Sequence, residues 1–479
     1  MEGTAEKGTG IRRGFWNFID SIKGDKVVWI IVFMLIMISI LAVFSSTSLL
    51  AMGDDLDRLK IVREQLITAG LGISIIWLLC RIKRIGVFRI LSQLGFAASV
   101  VLLTLLVAHV DMGVVCKAII TNDVYRALRI FGLQVHVFEF VKVAMVMYLA
   151  WAMDAYKKDL TAMASNEKST TFGLANSLSQ HKKLAFLAKP FWKRMMYIYL
   201  PIIIVCVLIM PGSNSSAIFV GGILIATLLV GGIPMKEIFI AAAGAVVCLL
   251  LIIGLYKATG WEALRRVDTM LSRIEADYSP AILEEVDENG RFVAPEGSTE
   301  FRRRLDKIQQ PFGAKVAVHE GGLLGKGSGN STQKYVVAVI YGDYMFSFII
   351  EEYGIWGAFL VIILYVSLLA RGSMIARLSD TEFAKVAVGG LSLLITGQAF
   401  MHMFVNVDIG PMTGQTLPLV SHGSSAFLMF SIAFGVILSI SRMSREKIRE
   451  EEEAAAPIYQ REQDELQATL EDIERLEEI

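Results

Sequence analysis

Apolar runs of membrane-spanning length recur along almost the whole chain. A helix needs about 20 apolar residues to cross the hydrocarbon core of a bilayer, and about ten runs approach that length. Because 54% of the 479 residues are hydrophobic and the mean hydropathy is +0.56, a soluble fold is excluded. The sequence predicts an all-α, polytopic membrane bundle of about ten transmembrane helices. The runs lie at 27–52, 65–80, 88–109, 133–154, 195–210, 216–233, 236–256, 345–370, 383–406 and 417–440.

The distribution of lysine and arginine predicts how this bundle is oriented, because short cytoplasmic loops carry an excess of both. With ten spans, all the basic clusters fall on one side, so we expect both termini in the cytoplasm. The first run is full length and lacks a small-residue cleavage site, so no cleavable leader is expected. The clusters contain Arg12, Arg13, Lys23 and Lys26; Arg81, Lys83, Arg84 and Arg89; Lys157, Lys158, Lys182, Lys183, Lys193 and Arg194; Arg371 and Arg377; and Arg442, Arg445, Lys447 and Arg449.

The same assignment divides the chain into five parts. They are a cytoplasmic N-terminus (1–26), helices 1–7 (27–256), a large extracytoplasmic loop (257–344), helices 8–10 (345–442) and an acidic cytoplasmic tail (443–479). Apolar residues recur at helical spacing in the tail, so it is either a partner-binding helix or a solvated extension.

Charge and cysteine content exclude two classes of function. The formal net charge is zero and no basic stripe is present, which argues against nucleic-acid binding. The four cysteines have neither a disulfide pattern nor metal-ligand spacing, so no metal site is expected from them.

Two charged residues fall inside the fourth run. Glu139 and Lys142 are three residues apart and share a helix face, where they can neutralise each other. Burying either charge alone is costly, so we expect a pair. This pair either locks helices together or lines a polar cavity that meets a substrate.

Cations also occur in two predicted outer loops. Arg126 and Arg129 lie in the loop 122–134, where an arginine can bind phosphate or simply remain solvated. Lys326 and Lys334 lie in the glycine-rich stretch 313–334, whose glycines permit close backbone approach to a ligand. This stretch is either a cradle for a diphosphate or a flexible loop, and it matches neither the P-loop nor the dinucleotide fingerprint.

Asp343 follows this loop where the chain re-enters the membrane. A carboxylate at the water edge of a bilayer can take part in proton transfer, and it can equally cap a helix. The pair Glu351-Glu352 follows about two helical turns later.

These residues form motifs that resemble the SEDS family of membrane peptidoglycan glycosyltransferases, the family of FtsW, RodA and SpoVE. The resemblance covers about 27–442 and is strongest in three segments. Residues 321–333 are similar to the family's GG-x-x-GKGxGNSxQ loop, residues 343–354 to its D-F-I-F and E-E-x-G motifs, and residues 413–421 to its TG-x-x-LP-x-x-S segment. Residues 23–29 and 44–47 resemble the division branch (FtsW) more than the elongation branch.

The chain departs from the family pattern at several positions. Ala127 stands where the family has Trp, residues 136–138 replace Gln-Pro-Ser, and His402 stands where Asn is usual. Residues 213–217, His422 and Ser424 differ as well. Asp343 is retained.

The resemblance implies polymerisation of lipid II, a disaccharide-pentapeptide on undecaprenyl diphosphate, at the outer face of the cytoplasmic membrane. Asp343 would be the general base. Arg126, Lys326, Lys334 or a divalent cation (Mg or Mn) would counter the diphosphate charge. Ser331, Gln333 and Ser421 would bind substrate, and Glu139 with Lys142 would line the cavity. A class B penicillin-binding protein, which is a transpeptidase, is the implied partner, together with other divisome or elongasome proteins.

Two other functions remain open on the sequence. Ten spans with an intramembrane ion pair also suit a flippase for lipid II, and the tail would suit a non-catalytic scaffold for division proteins.

Overall fold

The computed structural model describes residues 24–47, 55–113, 116–121, 124–130, 132–165, 171–240, 298–337, 339–410 and 412–447, together with part of 241–254. The expectations for the basic N-terminal residues, for the loop residues 255–297 and for the acidic tail from residue 448 lie outside the described residues.

The described residues form eleven labelled helices and one small sheet. In chain order the helices are α1 (Lys26–Ser46), α2 (Asp55–Cys80), α3 (Ile85–Val107), α4 (Val137–Ala164), α5 (Gly173–Leu178), α6 (Pro190–Ile209), α7 (Asn214–Val230), α8 (Thr299–Gly321), α9 (Met345–Leu378), α10 (Glu382–Asn406) and α11 (Ser424–Lys447). The strands are β1 (Cys116–Thr121), β2 (Val124–Ile130) and β3 (Leu133–His136).

Seven of these helices, α1, α2, α3, α6, α9, α10 and α11, are long and apolar enough to cross a membrane. The shorter apolar α7 and the long, charge-bearing α4 match two further predicted spans. Where residues 235–254 are described they are helical, in line with the remaining predicted span. The all-α polytopic prediction is therefore confirmed.

The ends of some spans differ from the prediction for identifiable reasons. The last span begins at Ser424 rather than at residue 417. Pro418 supplies no backbone N–H, and Leu419 has a φ of +59°, which is left-handed and interrupts a helix. Helix α9 also differs from the prediction, because it continues to Leu378 rather than ending at residue 370.

The bundle has a centre and a periphery. Of the 18 most apolar consecutive residues in each helix, 67% are buried in α10 and 72% in α11, but only 22% in α3. Lipid is as apolar as leucine, so close backbone approach at small residues holds membrane helices together. Gly390 of α10 illustrates this, because a Cβ there would lie 2.7 Å from Val146 of α4 and 2.8 Å from Thr227 of α7.

A three-stranded antiparallel sheet precedes α4, where the sequence predicted an outer loop. The strand order is β1-β2-β3, and Arg129 of β2 is opposite Gln134 of β3. The connection that carries Arg126 and Arg129 is therefore built from β-strands rather than irregular backbone. Each strand is only four to seven residues long, so its alternation was too short to stand out beside the long apolar runs.

Helix α8 extends further than the sequence predicted. It begins after Ser298, whose side chain accepts a hydrogen bond from the Phe301 N–H at 3.0 Å, and it continues through Pro311 to Gly321. The stretch expected to form a glycine-rich loop from residue 313 is thus helical as far as Gly321, and the loop begins only after that residue.

The carboxylate of Asp25 connects three helices at one end of the bundle. Asp25 caps α1 by accepting hydrogen bonds from the N–H groups of Val27 and Val28, at 2.9 and 3.1 Å. It also forms ion pairs with Arg371 of α9 at 2.6 Å and Arg445 of α11 at 2.7 Å. Asp25 therefore ties three helices together at the end where Lys and Arg are concentrated.

The close helix crossing gives a first prediction. Gly390→Ala should lower the melting temperature of the detergent-solubilised protein, because overpacking of this kind costs about 1–3 kcal/mol. Gly222→Ala is the matched control, because nothing lies within 4 Å of a Cβ at that exposed helical position. Equal melting temperatures for the two variants would contradict this packing.

Candidate functional site

Asp343 lies in the turn 341–344 that leads into α9, and it is half-buried. Its carboxylate lies beside the segment 413–415, since a Cβ on Gly414 would be 3.8 Å from Asp343 Oδ2. A cavity of about 10 Å³ opens at this carboxylate, about the space that one water molecule needs. The cavity is lined by Asp343, Tyr344, His402, Val405, Met412, Thr413, Gly414 and Gln415.

The environment of Asp343 changes its acidity. Burial raises the pKa of the Asp343 carboxyl above its usual range, and the positive charge of Arg126 opposes this shift. Arg126 is half-buried on β2, so the small sheet brings a cation toward the carboxylate. The structure thus brings together two of the sequence-predicted site residues.

Asn406, at the end of α10, fixes the position of Asp343. Its side-chain amide donates hydrogen bonds to the backbone carbonyls of Asp343 at 3.0 Å and of His402 at 2.8 Å. Its side-chain oxygen accepts from the N–H and the hydroxyl of Ser347, both at 2.9 Å. Asn406 therefore provides hydrogen-bond partners for polar groups in the first turn of α9, and it holds the backbone of Asp343 in place.

His402 forms another wall of the cavity. Its Nδ1 is 2.7 Å from the Gln415 carbonyl oxygen, which can only accept, so Nδ1 carries the proton. Nε2 is therefore the acceptor for the Phe346 N–H at 3.4 Å. This neutral tautomer connects α10 both to the segment 413–415 and to the start of α9.

The predicted pair in α4 is present and lies in a larger network. Lys142 Nζ donates to Glu139 Oε1 at 2.7 Å, to Gln398 Oε1 at 2.7 Å and to Gln415 Oε1 at 2.6 Å. Gln415 Nε2 donates in turn to Ser216 Oγ at 3.1 Å. All three protons of the buried ammonium are thus used, and Gln415 joins the pair to the cavity wall.

Two polar atoms, one in this network and one at the cavity, have no partner among the described residues. The first is Oε2 of Glu139, and the second is the hydroxyl oxygen of Thr413, which lines the cavity. A buried polar atom without a partner is costly. The Thr413 hydroxyl is therefore positioned to bind a polar group that enters the cavity.

Ser421 lies behind Asp343 and holds the backbone. Its hydroxyl donates to the Gly342 carbonyl at 2.7 Å and accepts from the Leu417 N–H at 3.0 Å. Ser421 is 3% exposed and is not among the residues that line the cavity. In this structure it orients the turn that carries Asp343.

The glycine-rich loop docks on α9 at a break in that helix. Gly354 has a φ of +67°, which interrupts the helical backbone. The N–H groups of Lys326 and Gly327 donate to the freed carbonyls of Glu351 and Glu352, at 2.8 and 2.9 Å. A Cβ on Gly325 would lie 2.2 Å from the Glu352 carbonyl oxygen. The glycines therefore allow the loop backbone to approach the backbone of α9 closely.

The buried carboxylate of Glu351 holds the same loop. It accepts hydrogen bonds from the Ser331 hydroxyl at 2.5 Å and from the Thr332 N–H at 2.8 Å, and it forms an ion pair with Lys326 at 3.0 Å. Glu352 accepts from the Gly329 N–H at 2.9 Å and from the Ser45 hydroxyl of α1 at 2.6 Å.

The four residues predicted in this loop as substrate ligands have contacts within it. Ser331 and Lys326 bind Glu351, and Lys334 Nζ donates to the Gly329 carbonyl at 2.6 Å. Gln333 is held through its N–H, which donates to Glu351 at 3.2 Å. None of the four lines the cavity at Asp343, and their role toward a ligand stays a prediction.

The described residues do not form a metal site of their own. No group of three or more His, Cys, Asp or Glu side chains in the described part of the chain is close enough to hold a metal ion. The ammonium of Lys326 and the hydroxyl of Thr332 hold the pKa of Glu320, an exposed carboxyl at the end of α8, below its usual range.

The sequence contained one signal that the motif analysis missed. Gln398, His402 and Asn406 are spaced by four residues, which places them on one face of the otherwise apolar α10. Polar side chains inside a span face the bundle interior, so this stripe indicates the face that meets the site.

The chain matches the sequence profile of a family described as "Cell cycle protein" (FtsW, RodA and SpoVE) over residues 25–281 and 292–446. It is 36% identical over 149 residues to the peptidoglycan glycosyltransferase MrdB of Escherichia coli K12, a match that covers 28% of this chain and 39% of that protein. The match therefore spans less than half of the length of that relative.

Two longer similarities cover nearly the whole bundle. Stage V sporulation protein E of Bacillus subtilis is 25% identical over 424 residues, which are 88% of this chain and 98% of that protein. A structure titled as a peptidoglycan synthase complex that coordinates polymerization and crosslinking superposes with a TM-score of 0.58 at 18% identity, covering 88% of this chain and 98% of the other. At that identity the structural match supports the fold alone.

The cap on α9 yields a second prediction. Asn406→Ala should destabilise the protein by about 1–3 kcal/mol, because it leaves buried hydrogen-bonding groups unsatisfied. The readout is the melting temperature in detergent. Asp408→Asn, which removes only a half-exposed ion pair with Lys315, is the control and should cost no more than about 1 kcal/mol. An Asn406→Ala variant as stable as this control would refute the capping role.

Proposed function

This chain belongs to the family of FtsW, RodA and SpoVE, and on that basis we propose that it is a peptidoglycan glycosyltransferase that polymerises lipid II into β-1,4 glycan strands. The observation that carries the proposal is the half-buried carboxylate of Asp343 at a small cavity, with Arg126 close enough to influence its charge. We further propose that it acts in cell division, because residues 23–29 resemble the division branch.

The cavity geometry supports Asp343 as the general base. Its volume of about 10 Å³ suits one oxygen atom rather than a sugar ring. The group that enters it is the 4-hydroxyl of the acceptor lipid II, while the ring stays outside. The hydroxyl of Thr413, which has no partner among the described residues, orients that hydroxyl toward the carboxylate.

The chemistry then needs one proton transfer. Asp343 takes the proton of the acceptor 4-hydroxyl, and the oxygen forms a bond to the anomeric carbon of the second lipid II. The bond from that carbon to the diphosphate breaks, and its electron pair leaves with the diphosphate. Attack from the face opposite the leaving group converts the α linkage into β.

The departing diphosphate needs positive charge nearby. The charge of Arg126 acts on the Asp343 carboxylate, and arginine binds phosphate with two parallel hydrogen bonds. Lys326 and Lys334 act indirectly, by holding the loop that packs on α9.

The chain is a polytopic membrane protein, and we propose that the cavity faces outward from the cytoplasmic membrane. Helix α4 runs from Glu139 and Lys142 at the cavity to Lys157 and Lys158 at its other end. Its 28 residues correspond to about 42 Å, enough to cross the bilayer. The lysine-rich end belongs to the cytoplasm by the positive-inside rule, so the cavity lies on the other side.

A transpeptidase is the proposed partner. The structurally similar protein was solved in a complex that coordinates polymerization and crosslinking. A class B penicillin-binding protein would crosslink the strands as this chain produces them.

The third prediction concerns the base itself. Asp343→Asn should reduce polymerisation of labelled lipid II in detergent by about 10²–10⁴-fold, because a positioned general base contributes that much. Asp408→Asn removes a half-exposed aspartate in the loop that follows α10 and should leave the rate unchanged. Both variants are assayed with and without co-purified transpeptidase.

The same assay separates the alternatives. Detergent removes the two sides of the membrane, so a flippase would give no polymer with any variant. A scaffold would also give no polymer, and Asp343→Asn would then be harmless in cells. Because burial of the charged carboxylate is unfavourable, the Asp343→Asn protein should melt no lower than the parent. A lower melting temperature would contradict that environment for Asp343.

The fourth prediction concerns pH. The base acts only when deprotonated, and burial raises the pKa of Asp343, so the acid limb of the rate profile should lie above the ordinary aspartate range. The charge of Arg126 lowers that pKa, so Arg126→Gln should move the limb to higher pH. The measurement is the midpoint of the limb in initial rates of polymerisation. An unmoved midpoint would argue against Asp343 as the titrating base.

A further inference from the structure

A surface of exposed aromatic rings beside an exposed lysine lies at the start of α6. We propose that it binds the headgroups of anionic phospholipids at the membrane surface. The surface, termed the 182–192 surface, presents Phe186, Lys189, Phe191 and Trp192, and the 3₁₀ helix of the same segment starts with Lys182 and Lys183. The proposal rests only on the membrane-spanning fold and does not depend on the enzymatic activity.

The three rings form one apolar cluster on the outside of the protein. Phe186 and Trp192 have ring centroids 4.9 Å apart, and Phe191 and Trp192 have centroids 5.6 Å apart. Their exposed fractions are 39%, 55% and 41% for Phe186, Phe191 and Trp192. Three adjacent aromatic rings exposed in this way mark an interaction surface rather than a scattered apolar residue.

The cluster is continuous with the lipid-facing side of a membrane helix. Phe191 and Trp192 belong to the first turn of α6, and Leu200, Ile203 and Val207 of the same helix are 46%, 54% and 54% exposed. Tryptophan is enriched where a span meets the headgroups. This continuity favours the bilayer over a soluble protein as the occupant of the 182–192 surface.

The charges at the surface match anionic headgroups. Lys189 is exposed between the two aromatic positions, and the 3₁₀ helix Lys182–Ala188 begins with two more lysines. The neighbouring cations are already neutralised inside the protein. Lys193 is buried and pairs with Asp159 at 2.9 Å, and Arg194 pairs with Glu237 at 2.8 Å.

Those inner contacts make the surface a fixed platform. Behind it, the rings of Phe172 and Tyr197 stack with centroids 4.2 Å apart. The Tyr197 hydroxyl accepts a hydrogen bond from the Ala175 N–H of α5 at 3.2 Å, and the Tyr197 carbonyl accepts from the Tyr148 hydroxyl of α4 at 3.1 Å. The segment is therefore packed on α4 from one side and presents its rings and Lys189 on the other.

The test uses the full chain in nanodiscs of phosphatidylcholine alone or mixed with phosphatidylglycerol, with one lipid brominated at a time. The contribution of Trp192 to the fluorescence is the difference between the parent and Trp192→Phe. Trp356→Phe is the matched control, because Trp356 is 64% exposed on the membrane helix α9. We expect brominated phosphatidylglycerol to quench the Trp192 contribution more strongly than brominated phosphatidylcholine does.

The variant K182Q/K183Q/K189Q tests the role of the charges. Each lysine near a membrane surface contributes about fivefold to the affinity for anionic lipid, so the preference for phosphatidylglycerol should disappear in the variant and weaken at high salt. Lys117→Gln, which removes a lysine from the sheet, should leave it intact. An unquenched Trp192 contribution would overturn the proposal in favour of a protein partner. Equal quenching by both lipids in the parent would also overturn it.

Discussion

The buried ammonium of Lys142 is the constraint on which the site depends. A charge inside a membrane protein must have all its hydrogen bonds satisfied by the protein itself. Lys142 finds acceptors in Glu139, Gln398 and Gln415, the last of these 273 positions further along the chain. Since Gln415 also accepts from His402, satisfying one lysine brings α4, α10 and the segment 413–417 together around the cavity. The pair thus holds helices together, and Gln415 connects it to the wall of the cavity.

The membrane spans and the Glu139–Lys142 ion pair could be predicted from the sequence, because both depend on the spacing of residues close together in the chain. Apolar runs identified the helices, and Glu139 with Lys142 at three-residue spacing identified an ion pair. The remaining acceptors depend on how distant helices pack, so no local pattern assigned them. The polar stripe on α10 was visible in the sequence, but its partners Asp343 and Ser347 were not.

The glycine-rich loop shows how much a local pattern leaves open. The glycines indicated that a backbone would approach closely, and one does. The approaching group is the broken backbone of α9 at Gly354, with Glu351 holding the loop in place. A glycine in a sequence indicates that a positive φ or a close backbone approach is permitted there, but it does not indicate which group approaches. The loop thus supports the helix that follows Asp343, and Arg126, whose charge acts on that carboxylate, lies on the sheet that the sequence analysis missed.

The central claim is that the acceptor hydroxyl reaches Asp343 through a cavity with room for one oxygen atom. The most direct measurement is a cryo-EM structure of the Asp343→Asn protein with lipid II bound. We predict that the sugar 4-hydroxyl lies within hydrogen-bond distance, about 2.6–3.2 Å, of the side chain at position 343, with the diphosphate beside Arg126. Lipid II bound with its sugars far from α9, or with the diphosphate on the lysine-rich side of the bundle, would contradict the account.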